Sequence, residues 1–381
     1  MRRIYLNNAA TSYPKPPGVL EAVQEAVSDI PPSQFRDGNE RKGEDLFSDC
    51  KCLLGQVLGI ADTNQIRFSS GATESLNELF LGLHIPAEEI ITTVTEHNSV
   101  LRPLYNLPGI AGEPVLLPCD KDGRVDPEFL EKELAKPAVR KKARAVMINH
   151  CSNVTGAVQD AEAFGDIAHR NGLLFILDLS QSAGCLEVDA DAWMADAVAF
   201  TGHKSLMGVQ STGGYYVREG IPFRPVRYGG TGRESEKLKY DPIERPPEAG
   251  TQNTPGIAAL TAALHWIKQQ GIGVIREKEH RLLRKAAEEL LAIPGVRLCG
   301  NPFSDRQGPL LSFLTEGMDP SDLGYILSSG YGIVTRTGLH CSPLIHPYIG
   351  SGPKGTVRIS FSPFNTADDV TALIEAIKEI L

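Results

Sequence analysis

The spacing of hydrophobic and polar positions changes character along this 381-residue chain. After residue 60, short apolar and β-branched runs alternate with stretches whose apolar residues recur at helical spacing. That alternation is the signature of a mostly parallel sheet covered by helices. The runs predict strands at Ile66–Phe68, Glu89–Thr93, Pro114–Leu117, Ala145–Asn149, Leu173–Leu177, Ala197–Phe200 and Gly213–Val217. Helices are expected at Glu74–Leu83, Asp126–Ala135 and Asp160–Arg170. Residues Arg224–Pro255, rich in Gly, Pro and charge, read as a linker. A long helical pattern then runs from Gly256 to about Ile293, with a break near Gly271-Ile-Gly273. After Pro294-Gly295, strands at Val296–Leu298, Leu310–Leu314, Gly332–Thr335 and Val357–Ser360 alternate with helices at Pro320–Ser328 and Ala367–Ile380. The expected architecture is α/β. A large domain with a mixed, mostly parallel sheet spans 15–255, and residues 1–14 and 256–381 form a smaller α+β lobe.

Composition narrows the class. Hydrophobic residues make up 41% and charged residues 22%, as in a soluble globular protein. A net charge of −9 argues against a nucleic-acid-binding face, and the largest basic cluster is Arg140-Lys-Lys-Ala-Arg144, read as a solvated helix end. No apolar run approaches the ~20 residues of a membrane span. The start, Met1-Arg-Arg-Ile-Tyr-Leu-Asn-Asn, turns polar too soon for a signal peptide, so a cytoplasmic protein is expected. Seven scattered cysteines, an odd number, fit a reduced compartment with mostly inert thiols. Cys50-Lys-Cys52 has the wrong spacing for a zinc site, and no metal is expected.

The polar residues that follow the predicted strands carry the chemistry, because ligands of open α/β sheets bind at strand C-termini. Asp178 ends one apolar run; Thr201, His203 and Lys204 end the next. A lysine able to form a Schiff base, with an aspartate for a pyridinium nitrogen, is the minimal equipment for pyridoxal 5'-phosphate. Ser69-Ser-Gly-Ala-Thr-Glu74 follows a strand and opens a helix, so the N–H groups at Ala72 and Thr73 can cradle phosphate. Glu96-His97-Asn98 supplies a histidine able to lie on an aromatic ring and move protons. His150-Cys-Ser-Asn153 and Gln181 add short-range donors for a phenolate or a carboxylate. Each piece alone also fits a plain role: a helix cap, a loop histidine, a surface lysine. Five successive strand ends that converge on one ligand argue for a site.

In order and spacing these pieces resemble the class V aminotransferase fold group, and within it the cysteine desulfurase family, in its group II, SufS-like branch. The resemblance covers nearly the whole chain. It starts at Asn7-Asn-Ala-Ala-Thr-Ser-Tyr-Pro-Lys-Pro16 and takes in Gly71-Ala-Thr-Glu74, Glu96-His97-Asn98, Ser152-Asn153, Asp178-Leu-Ser-Gln181 and Thr201-Gly-His-Lys204. It continues through Tyr228-Gly-Gly-Thr-Gly232, Glu248-Ala-Gly-Thr-Gln-Asn-Thr254, Arg336-Thr-Gly-Leu-His-Cys341 and Gly355-Thr-Val-Arg358.

The resemblance implies a PLP-dependent transferase of fold type I that converts L-cysteine to L-alanine and leaves the sulfur on Cys341 as a persulfide for an acceptor protein. Lys204 would be the Schiff-base lysine and the base for the substrate α-proton. Asp178 would pair with the ring nitrogen, His97 would stack on the ring, and Gln181 would bond its phenolic oxygen. Ala72, Thr73, Thr201 and His203 would hold the phosphate. Thr251 would reach the phosphate of a partner subunit, which implies a homodimer. Asn153, beside the cofactor, Arg336 and Arg358 would bind the substrate, with Asn153 and Arg358 gripping its carboxylate. Arg336 and His340 would favour the Cys341 thiolate. The short loop from Cys341 to Arg358 implies an acceptor that comes to the site.

Two further readings stay open: a cysteine or cystine C–S lyase or selenocysteine lyase, and a PLP-binding scaffold that works by contacting a partner. Asn7, Thr201, Val209, Ser211 and Leu339 depart from the family pattern. So does the histidine-free, acidic segment Ser33–Asp45, which puts substrate choice or subunit contact in question.

Overall fold

The computed structural model describes residues 3–28, 40–231, 235–239 and 248–381, with backbone alone for 40–45. The unusual segment 33–45 therefore lies outside the described residues, apart from helical backbone at 40–45. After a short strand β1 (Ile4–Tyr5), seven strands build the main sheet: β2 (Ile66–Ser69), β3 (Ile90–Thr93), β4 (Val115–Leu117), β5 (Ala145–Asn149), β6 (Leu174–Asp178), β7 (Ala197–Thr201) and β8 (Gly213–Val217). Their order is β2-β8-β7-β6-β5-β3-β4. All pair in parallel except β8, which runs antiparallel to both neighbours. Helices cover both faces, so β5 and β7 are buried at every position. That is why they appear in the sequence as unbroken apolar runs and not as alternation.

Strand and helix ends differ from the expected ones by one to three residues, in two cases for a clear local reason. Asp126 and Asp160 stand outside their helices as caps, accepting from the N–H of Glu128 and of Ala163. The helix Asn98–Asn106 escapes the pattern, being short and carrying Pro103 inside it. The break expected near Gly271 is real: helices Thr254–Gln270 and Ile272–Leu291 meet there, with Gly271 at φ 82°.

The C-terminal strands β9 (Val296–Cys299), β10 (Leu310–Thr315), β11 (Ile333–Val334), β12 (Arg336–Gly338) and β13 (Thr356–Ser360) correct one expectation. The run Gly332–Thr335 is not a single strand. Ile333 and Val334 pair in parallel with β1, whereas Arg336–Gly338 pairs with β13 in the antiparallel sheet β12-β13-β10-β9. The chain changes sheets at Thr335 because Ile333 is drawn into an apolar cluster with Ile4, Leu6, Phe313 and Ile359. The Leu6 carbonyl accepts from the Ser360 N–H at 2.8 Å, which ties the N-terminal segment to β13.

This topology sets the ends of β3, β5, β6 and β7 side by side, where a parallel sheet presents its ligand face. Gly213 on β8 lets the turn before helix Ala72–Leu83 pack onto the same edge. A Cβ there would lie 2.5 Å from Gly71 Cα and 2.8 Å from the Phe200 carbonyl oxygen. Both obstacles are backbone, so neither can swing aside. Gly213→Ala should therefore destabilise the protein by about 1–3 kcal/mol, read as a lowered midpoint of thermal unfolding. An unchanged midpoint would show that the turn is free to move.

Candidate active site

A cavity of about 270 Å³ opens at those strand ends. Of the residues given a role above, all line it except His340, Cys341 and Thr251. Thr251 is exposed and borders a second cavity of about 350 Å³ that shares Ser70 and Glu74 with the first. Within one chain, Thr251 does not join the others.

At one end, helix Ala72–Leu83 starts without a side-chain cap, and Gly71 turns at φ 142°. Its first N–H groups are left to the cavity. Thr201 and His203 line the same cavity, the Thr201 hydroxyl beside Gly71. Nδ1 of His203 is buried and has no partner among the described residues. Burial, reinforced by Lys204 and Lys15, pushes His203 down to about 4, so its ring is neutral at physiological pH. Unsatisfied donors around an uncapped helix start fit a phosphate group.

Lys204 is half-buried in the middle. Burial pulls its ammonium down to about 8, the Asp178 carboxylate opposes that shift, and Arg358 and Arg336 add to it. Asp178 is fixed by Ser180, whose N–H and hydroxyl both donate to Oδ1, at 2.9 and 2.5 Å. A fixed carboxylate and an amine near neutrality fit the ring nitrogen and the aldehyde carbon of pyridoxal phosphate.

His97 is the cap of helix Asn98–Asn106. Its Nδ1 accepts from the Ser99 N–H at 3.0 Å, which leaves the ring proton on Nε2. Burial first, then Lys204, Arg336 and Arg358, push it down to about 3. Beneath it Glu96 is wholly buried and is pushed up to about 8, chiefly by burial. One of its oxygens accepts from the Thr93 hydroxyl at 2.7 Å and the Asn149 N–H at 3.0 Å. At neutral pH Glu96 is therefore largely an uncharged acid. Glu96 and Ser180 stand inside sequence motifs that give them no role, and Ser99 stands outside them. Their only sequence signal was position, each within two residues of a predicted site residue.

The opposite wall is basic. Arg336 and Arg358 face each other across the β12–β13 pair. Like charges in that position repel, and burial with Arg336 nearby brings Arg358 down to about 9. Arg358 donates to the Asn153 carbonyl at 2.7 Å and to Asn7 Oδ1 at 3.3 Å, while its Nε is buried with no partner among the described residues. Arg336 donates to Cys341 Sγ at 3.2 Å, which brings the thiol to the rim of the cavity it does not itself line. Asn153 is more occupied than its sequence role suggests. Its amide donates to the His340 carbonyl at 2.6 Å and its Oδ1 accepts from Ser342 at 2.7 Å. Gln181 spends one donor on the Ala9 carbonyl at 2.9 Å.

All seven cysteines are free thiols. Cys151 also lines the cavity, but burial pushes it up to about 12 and leaves it protonated. No group of side chains among the described residues could hold a metal ion.

A half-buried lysine with a partner aspartate at the strand ends, in one cavity with an uncapped helix start, defines a PLP-binding fold. The Aminotransferase class-V family model matches residues 4–373, and the chain belongs to that family, whose members depend on pyridoxal phosphate. The relatives narrow this further. The chain is 30% identical to a probable cysteine desulfurase of Pyrococcus abyssi (strain GE5 / Orsay) and 30% identical to cysteine desulfurase CsdA of Escherichia coli (strain K12). In both cases the alignment covers 99% of this chain and 94% of the relative. Among solved structures, the apo cysteine desulfurase of Thermococcus onnurineus NA1 superposes with a TM-score of 0.89 at 30% identity, covering 99% of this chain and 94% of that one.

The lowered Lys204 has a measurable consequence. Only the neutral amine captures an aldehyde, so cofactor uptake by the cofactor-free protein should accelerate through a midpoint near pH 8. Asp178→Asn removes the one carboxylate that favours the ammonium, so the midpoint should move lower. Stopped-flow absorbance checks both. A midpoint near 10, the range of a solvated lysine (~10.4), would contradict the burial of Lys204.

Proposed function

We propose that this chain is a PLP-dependent cysteine desulfurase, converting L-cysteine to L-alanine with the sulfur passing to Cys341. The observation that carries the reading is the Arg336–Cys341 contact at 3.2 Å on the rim of a cavity lined by Lys204. When bound, pyridoxal phosphate supplies the electron sink that allows bonds at the substrate's Cα and Cβ to break at neutral pH.

The chain's own residues do the rest. Ala72 and Thr73 with Thr201 and His203 hold the phosphate; Asp178 keeps a proton on the ring nitrogen; His97 covers the ring as a neutral imidazole. Gln181 keeps one amide proton for the phenolic oxygen. Arg358, with Asn153 at its side, takes the substrate carboxylate, whose charge relieves the repulsion between the two arginines. Lys204, partly neutral near pH 8, removes the α-proton. The Cys341 thiolate, held in contact with Arg336, attacks the substrate sulfur. A sulfur–sulfur bond forms as the Cβ–sulfur bond breaks, and the carbon skeleton leaves as alanine after reprotonation. A C–S lyase needs no enzyme thiol, so the Arg336–Cys341 contact favours desulfuration over that reading.

The wider reading has four parts. The chain divides into lobes of 15–255 and of 1–14 with 256–381. The second lobe's own apolar cluster supports that division, although helix Thr254–Gln270 also packs on the larger core. The protein works as a homodimer in which Thr251 serves the neighbouring site. It acts in the cytoplasm; no described helix is long and apolar enough to cross a membrane. As in the SufS-like branch, a sulfur acceptor comes to Cys341, and the sulfur is bound for iron–sulfur clusters, thiolated tRNA or another thio-cofactor.

The test is product analysis with L-cysteine and a reductant. Wild type should form alanine and sulfide in equal amounts, and Cys341→Ala should form neither above background. Pyruvate, or alanine that persists in the variant, would move the protein to the C–S lyase reading.

A further inference from the structure

Cys341 sits in a turn that residues bearing a Cβ avoid. His340 and Cys341 are both left-handed, at φ 53° and 60°. Such a pair persists only where its surroundings over-determine it. Three successive carbonyls of this turn are held from three different segments. The Leu339 carbonyl accepts from His346 Nε2 at 3.1 Å, the His340 carbonyl from Asn153 Nδ2 at 2.6 Å, and the Cys341 carbonyl from the Asn98 N–H at 2.7 Å. Side chains close the arrangement: Ser342 donates to Asn153 Oδ1 at 2.7 Å, and the His340 ring meets the Thr356 hydroxyl at 2.8 Å. Because a carbonyl can only accept, His346 carries its proton on Nε2, and its Nδ1 takes the Ser351 hydroxyl at 2.6 Å. His340, Ser342 and His346 are 2%, 0% and 1% exposed, yet the thiol between them is only half-buried. The turn is solid and its sulfur is accessible.

We propose that these contacts form a positioning cage, in which Ser342 and His346, with Asn98 and Asn153, hold Cys341 against Arg336 so that the thiol both takes and hands over sulfur without leaving the rim. The proposal rests on the desulfurase reading and adds Asn98, Ser342 and His346, none of which lines the cofactor cavity. His346 and Ser342 act through the backbone of their neighbours and are positioning residues. The cage also implies that an acceptor must reach the rim, since the thiol cannot travel to it.

The thiol is faced by Arg336 on β12, Arg358 on β13, Lys204 beyond β7, neutral His97 at the head of helix Asn98–Asn106, and neutral His340 on its own turn. Releasing the turn would carry the sulfur away from these cations and open it to solvent. The experiment alkylates the holoenzyme with iodoacetamide at one fixed pH and follows the rate at Cys341 by peptide mass spectrometry, with exposed Cys52 as internal control. In His346→Ala and Ser342→Ala the ratio of the Cys341 rate to the Cys52 rate should rise several-fold, as a half-buried sulfur becomes exposed. In the same variants kcat for alanine should fall roughly tenfold to a hundredfold, with KM within about twofold. His346→Gln, which keeps a donor for the Leu339 carbonyl, should retain most of the wild-type behaviour. If His346→Ala does not fold, Ser342→Ala and His346→Gln carry the comparison. An unchanged ratio overturns the cage, whether or not kcat falls, since a fall alone would mark a general structural role. The alkylation ratio is read without substrate. Persistent alanine formation in Cys341→Ala would therefore sink the desulfurase reading and leave the cage result standing.

Discussion

Three cations, Lys204, Arg336 and Arg358, meet in one cavity, with Asp178 the carboxylate that favours the lysine's charged form. Gathering like charges out of water is costly, and the cost is visible in how far Lys204 and Arg358 are pulled below their ordinary values. The fold can hold them because the strands that carry them are anchored elsewhere: β12 and β13 by their own sheet, the Lys204 segment by the buried strand β7. A site with that field is set for anions, and the proposed reaction brings it three: a phosphate, a carboxylate and a thiolate.

The same field sorts the cysteines. Cys151 lies in the cavity wall, but burial holds it protonated near 12, and Cys50, Cys119 and Cys299 are pushed up for the same reason. Cys341 is half-buried and lies against a guanidinium. Burial makes a thiol inert and an adjacent cation makes it reactive, so a shared residue type yields one candidate nucleophile and several packing residues.

How much of this could be read from the chain follows from what sets each feature. The parallel strands were legible because burial on both faces leaves unbroken apolar runs, and the residues after them were legible because that edge of such a sheet binds ligands. The division of Gly332–Thr335 between two sheets was not, since it depends on β1, more than three hundred residues earlier. The engagement of Asn153 with His340 and Ser342, and of Arg336 with Cys341, also depends on folded proximity; no spacing rule encodes it. Thr251 stands apart from the cavity, and its proposed role needs a second chain.

The account stands on Cys341 receiving the sulfur. The most direct measurement is a single turnover of the holoenzyme with sulfur-labelled L-cysteine and no reductant, followed by non-reducing peptide mapping. One labelled sulfur atom should be found on the peptide bearing Cys341, in an amount that matches the alanine released. Label on the Cys52 or Cys151 peptide, or label only as free sulfide beside an unmodified Cys341, would contradict it.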